Sequence, residues 1–209
     1  IYYSTIASNW PSEQYPEWRI VDVDGKTSRE KGRRRQGLCC PNSPGYRKFV
    51  LDQIKELCQN YEFEHLFFDN LSWPDICYCS NCKKRYREEV GGEPPTIIDW
   101  NDPAWVMFQK KREEWLADFA SALSSEVKKY KPQCTTNSNF WGVIASWRFC
   151  IGPRYIHTQD YVGGDPAGGY SERSFTFKLY SNVTPNMPFS FGNAFCYPGL
   201  SDHTVLKPK

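Results

Sequence analysis

The segment EHLFFDNLSWPDICYCSNC, residues 64–82, concentrates the groups with chemical potential in this chain. Four residues suited to a buried strand, His65, Leu66, Phe67 and Phe68, lead directly into a carboxylate, Asp69. A charge at the end of a core strand must find partners or face solvent, because burying it alone is strongly unfavourable. One reading makes Asp69 a helix cap or half of an ion pair. The other makes it catalytic, since barrel enzymes carry reactive groups at the carboxyl ends of their strands. Hydrolysis of a glycosidic bond needs two such groups. In the retaining mechanism one carboxylate attacks and the other donates a proton, from carboxyls about 5–5.5 Å apart.

Beyond Asp69, Cys77, Cys79 and Cys82 follow in a C-x-C-x-x-C spacing. The chain has nine cysteines, an odd number, so they cannot all pair internally. Three thiolates this close, with Cys40 or its neighbour Cys39 as a fourth, suit a tetrahedral zinc site; Cys40 is taken as the ligand. The alternative is reduced thiols packed as small apolar groups. An all-thiolate site is closed and structural, so zinc would pin the loop after Asp69 while catalysis needs no cofactor.

Two segments carry helical periodicity. Over residues 44–61, Val50, Leu51, Ile54, Leu57, Cys58 and Tyr61 share one face, with Asn42 or Ser43 as cap and Pro44 at the first helical position. Over residues 102–130 the stripe is Trp105, Phe108, Trp115, Leu116, Phe119, Leu123, Val127 and Tyr130, opened by Asp102 and Pro103. A weaker helix is expected over residues 170–180. Short apolar or β-branched runs at 1–6, 65–68, 134–137, 155–158 and 188–191 read as strands. Strand and helix alternate, which predicts an α/β fold of parallel βαβ units. The loops after the strands hold the carboxylates, amides and aromatics, as in a (β/α)8 TIM-barrel enzyme. Such a barrel takes roughly 250 residues and eight strands. The chain therefore reads as one domain over residues 1–209, a partial barrel lacking strands at both ends.

Composition narrows the classes further. Hydrophobic residues make up 40% of the 209 and aromatics 16%, a globular balance. The formal charge of +2 is too small to suggest a nucleic-acid partner, and Lys31, Arg33, Arg34 and Arg35 read as a solvated loop. No apolar window approaches the roughly 20 residues of a membrane helix. Eight Trp and thirteen Tyr suit a sugar-binding cleft as well as a core. The start at Ile1, inside IYYSTI, reads as excised from a longer chain. That leaves bacterial cytoplasm and a periplasmic or secreted destination both open, and puts any self-association in regions outside these residues.

The order YYSTIASNWPSEQYPEWRIVDVDG, CPNSPGYRKFVLDQIKEL, HLFFDN, CYCSNCKKRYREE and DPAWVMFQKKR resembles the glycosyl hydrolases related to the α-L-fucosidases, family 151 of the glycoside hydrolases, over nearly the whole chain. The resemblance implies a retaining TIM-barrel hydrolase of fucosylated or related glycans, with its nucleophile at the end of the fourth strand, here Asp69. Its acid/base would come from a later loop, where Asp165 and Glu172 are the candidates and Asp160 a third. The Cys motif also resembles β-galactosidases of the related barrel clan, some of which bind zinc through such a cluster. A β-galactosidase-like hydrolase and an inactive carbohydrate-binding barrel are the alternatives. Rim residues suited to sugar are Trp10, Glu13, Trp73, Asn137, Asn139, Trp141, Asp160 and His203.

Overall fold

The computed structural model describes residues 1–33, 35–140, 146–164, 170–186 and 190–191. Three strands form a parallel sheet: β1 (Tyr2–Ser4), β2 (His65–Asp69) and β3 (Thr135–Ser138), in that order. β2 is central, with Ser4 opposite Asp69 on one side and Ser138 opposite Phe68 on the other. Gly163–Gly164 (β4) pairs in parallel with Ser190–Phe191 (β5). A parallel bridge from Asn139 to Gly163 sets β4 beside the end of β3. Strand order thus follows chain order, each strand neighbouring the one before it in sequence.

The helices are α1 (Asn9–Gln14), α2 (Pro44–Asn60), α3 (Ser80–Glu89), α4 (Pro103–Tyr130), α5 (Pro153–Ile156) and α6 (Tyr170–Val183). Both periodic segments fold within a residue or two of expectation because their starts are encoded. Ser43 caps α2 by accepting from the Tyr46 amide, and Asp102 caps α4 by accepting from Ala104. Each has proline in its first turn. Val50, Ile54 and Cys58 of α2 and seven residues of the α4 stripe, from Trp105 to Val127, are buried. Tyr61 is exposed, since α2 ends before it. No described helix is long and apolar enough to cross a membrane.

One expected strand is absent. Residues 155–158 instead hold the end of the short helix α5 and the turn after it, with Gly152 before the helix and Pro153 opening it. Its apolar residues serve packing from a helical turn. Tyr155 is buried and its hydroxyl donates to the Leu71 carbonyl at 2.8 Å. A phenol has one proton, so Ser138 must be the donor in its 2.5 Å contact with the same oxygen. The strand that follows β3 lies further on, at Gly163–Gly164.

The sheet has two unlike faces. Leu66 and Phe68 are fully buried, Tyr3 reaches Gln53 of α2, and Thr136 reaches Ser124 of α4 at 3.3 Å. Alternation sends the other residues, His65, Phe67, Asp69, Tyr2, Thr135 and Asn137, to the helix-free face. Tyr2 and Phe67 stack there, ring centroids 5.5 Å apart.

Candidate active site and thiol centre

Asp69 is half-buried and ends the middle strand on the helix-free face, at the edge where the βα loops emerge. The ladder continues past it: its carbonyl accepts from the Thr5 amide at 2.9 Å and the Thr5 hydroxyl at 2.7 Å. Asn70 then turns the chain with φ of 54°, a left-handed conformation that asparagine tolerates better than most residues. Its side-chain amide donates to the Asp69 carboxylate. No ion pair among the described residues involves Asp69, and it caps no described helix.

Below Asp69 on the same face lies a polar layer. His65 Nε2 meets Asn137 Oδ1 at 2.9 Å, and Nδ1 meets the Thr135 hydroxyl at 2.9 Å. With a carbonyl-type acceptor at Nε2, that nitrogen carries the proton and Nδ1 accepts. Burial lowers the His65 pKa against the opposing effect of Asn137, in keeping with a neutral ring. Asn137 is therefore buried and oriented by His65. Asn139, half-buried, lies one step past the Phe68–Ser138 pair, level with Asp69.

Two expected rim residues play other parts. Trp73 is a core residue, 1% exposed, because its indole N–H donates to the Arg112 carbonyl at 2.9 Å and its ring lies beneath the Arg112 guanidinium. Asp160 is bound to Lys128 at 2.9 Å and to the Thr136 amide at 2.6 Å. Thr136 faces α4 and pairs with Leu66, three residues before Asp69, so Asp160 sits roughly 10 Å back along the strands. Burial would raise its pKa, but Lys128 and Thr136 outweigh burial and lower it. That is the behaviour of a structural carboxylate and the opposite of a general acid.

Trp10 is exposed on α1, with its ring on Phe49 of α2, and Glu13 pairs with Arg29 at 2.8 Å on the surface. Trp141, Asp165 and His203 lie outside the described residues, as does the side chain of Glu172, whose backbone falls in the first turn of α6.

The thiols of Cys40, Cys77, Cys79 and Cys82 converge. All four are buried and their sulfurs lie within 4.8 Å of one another, Cys40 and Cys82 at 3.4 Å. A tetrahedral zinc with Zn–S of about 2.3 Å sets sulfurs about 3.8 Å apart, so the donor set fits that ion in type, number and spacing. Burial pushes the Cys40 and Cys82 thiols up, while donation from Cys40, Cys77 and Cys82 pulls Cys79 down. Cys39 turns away toward the Ser8 carbonyl, and burial pushes its thiol up to about 12. The centre joins the segment just before α2 to the segment between Asp69 and α3 and to the first turn of α3. Sequence reasoning missed two residues around this segment: Asn42, read as a possible helix cap, and Arg112, a buried cation whose spacing reads as helix surface.

Comparison with known proteins fits this geometry. Residues 5–107 match the family model described as beta-galactosidase, glycoside hydrolase family 42. The chain is 25% identical over 142 residues to beta-galactosidase BgaA of Planococcus sp. (strain 'SOS Orange'), covering 58% of this chain and 20% of that protein. It is 29% identical over 101 residues to beta-galactosidase LacZ of Lactobacillus acidophilus, covering 47% of this chain and 14% of that protein. The chain thus spans a fifth or less of these relatives. Among solved structures, a beta-galactosidase from Bacillus circulans sp. alkalophilus superposes with TM-score 0.65 at 18% identity, over 86% of this chain and 32% of that one. Alpha-L-fucosidase isoenzyme 2 from Paenibacillus thiaminolyticus gives TM-score 0.60 at 18% identity, over 81% and 24%. The sequence matches are to β-galactosidases, while the solved structures include both β-galactosidases and an alpha-L-fucosidase. Residues 5–107 are thus similar in sequence to the beta-galactosidase family model, and the fold superposes on that of solved beta-galactosidases.

Proposed function

We propose that this chain forms part of the catalytic barrel of a retaining, β-galactosidase-type glycoside hydrolase, with Asp69 as one of its two catalytic carboxylates. The observation that carries the reading is the placement of Asp69: half-buried, in no ion pair among the described residues, at the carboxyl end of the central parallel strand. A carboxylate so placed can attack an anomeric carbon if a second carboxyl lies about 5–5.5 Å away to protonate the leaving oxygen. Asp165 and Glu172 are the candidates for that acid, now that Asp160 is committed to Lys128. Asn137 and Asn139 share the face and suit sugar hydroxyls. A carboxylate pair suffices for the chemistry, so no catalytic cofactor is required. Zinc held by Cys40, Cys77, Cys79 and Cys82 would be structural, a cross-link that steadies the segment following Asp69.

One observation favours a second reading, an α-L-fucosidase-like enzyme: the strand ends in aspartate, whereas β-galactosidase chemistry usually takes two glutamates. Both readings are tested by a panel of nitrophenyl glycosides on the intact protein. Turnover of the β-D-galactoside supports the first and of the α-L-fucoside the second. Asp69→Asn should abolish either while shifting stability by less than about 1 kcal/mol, because among the described residues the side chain bonds only Asn70. Undiminished turnover in that variant would remove Asp69 from the mechanism.

A further inference from the structure

The thiol centre has an outer layer that cysteine spacing alone does not disclose. Asn42 donates to two different sulfurs, its backbone N–H to Cys40 at 3.4 Å and its side-chain Nδ2 to Cys82 at 3.4 Å. Its Oδ1 accepts from Arg85 Nη1 at 3.0 Å. Arg85 is fixed in turn, Nε to Glu89 at 2.7 Å and Nη2 to Asp118 at 3.2 Å, with its guanidinium 5.4 Å from the Trp115 ring centroid. An asparagine amide can sit either way round, and one way would aim its oxygen at a thiolate. Arginine only donates, so Arg85 accepts a single orientation, the one that aims N–H at sulfur.

We propose that Asn42 is the positioning residue of the zinc centre and that Arg85 locks its amide, so that the two act as one relay. The relay rests on the zinc reading above. Four thiolates around a dication carry a net charge of two negatives. N–H donation to sulfur, backed by a fixed guanidinium, disperses that charge and holds Cys40 and Cys82 at a common spacing. Outer-layer partners of this kind typically contribute 10–100-fold in metal affinity.

The test is the zinc dissociation constant of the intact protein, measured by competition with a chromophoric chelator. The cobalt-substituted thiolate charge-transfer band reports the geometry of the centre. Asn42→Ala should weaken zinc binding about 10–100-fold, and Arg85→Ala comparably. The double variant should be no weaker than the worse single, because both remove the same bond. Asn42→Asp, which preserves shape, should bind more weakly still, since it sets an anion against sulfur; it also serves if the alanine variant fails to fold. Losses that multiply in the double variant, or singles within about twofold of wild type, would overturn the relay and leave the zinc site standing. A wild-type protein that binds no zinc would overturn both.

Discussion

Arg112 offers the sharpest check on the packing behind Asp69. It is 1% exposed, yet no carboxylate pairs with it among the described residues. Its guanidinium instead donates to Gln109 Oε1 at 2.6 Å, to the Arg148 carbonyl at 3.0 Å and to the Asp75 carbonyl at 3.3 Å. The Nε has no hydrogen-bond partner among the described residues. One cation therefore ties α4 to two loops, one of them the segment joining Asp69 to the cysteines. In Arg112→Met the volume is nearly kept, but the Asp75 carbonyl loses its donor and the Arg148 carbonyl keeps only the weak Cys150 thiol at 3.4 Å. Each unsatisfied carbonyl costs about 1–3 kcal/mol. Removing a desolvated, unpaired charge returns part of that, so a net loss of about 2–4 kcal/mol is expected. In a protein of this size each kcal/mol moves Tm by about 2–4 °C, giving a drop of about 4–16 °C. Arg112→Lys should fall between, because an ammonium on a single stem cannot span all three oxygens. The assay is urea unfolding with the m-value held common, supported by a thermal scan. A methionine variant within about 0.5 kcal/mol of wild type would refute the reasoning, showing that those carbonyls find donors without Arg112.

Other outcomes follow from single contacts. A Cβ at Gly45 would lie 2.6 Å from the Trp18 indole nitrogen, and that ring is already stacked on Tyr15, so Gly45→Ala should destabilise by about 1–3 kcal/mol in the same urea titration. Asp160 has a depressed folded pKa, so its stabilisation is present above the unfolded value of about 3.9 and is lost as pH falls through the folded one. Asp160→Asn should therefore flatten the acid limb of a stability–pH profile below about pH 4, and an unchanged limb would count against the Lys128 pair. Chelation should lower Tm if zinc fills the thiol centre, by about 4 kcal/mol of linkage at a thousandfold excess over Kd, and Cys82→Ser should abolish that response. Trp73→Phe should cost about 0.5–1.5 kcal/mol through loss of the indole bond to the Arg112 carbonyl, which the α4 helix still satisfies, with no direct effect on sugar binding.

What the sequence by itself determined is local or periodic. Caps and prolines mark where α2 and α4 begin, because those residues satisfy or spare the first amides of a helix. The strand that delivers Asp69, the parallel alternation and the C-x-C-x-x-C cluster are legible for the same reason. α3 escaped notice because only Cys82 and Tyr86 of its ten residues are buried, too few to print a stripe. Tertiary structure alone decided the rest. Neighbouring residues of an extended segment point to opposite sides, and only the fold shows that Cys40, and not Cys39, faces the other thiols. Trp73 and Asp160 have the composition of rim residues but are spoken for by Arg112 and Lys128, partners 39 and 32 residues away in the chain. Residues 155–158 have a strand's composition and form a helical turn, since Tyr155 finds its partners on β3 and in the loop beyond Asp69. Such partners are chosen by proximity in space, and a side chain's type and spacing carry no record of what will stand across from it.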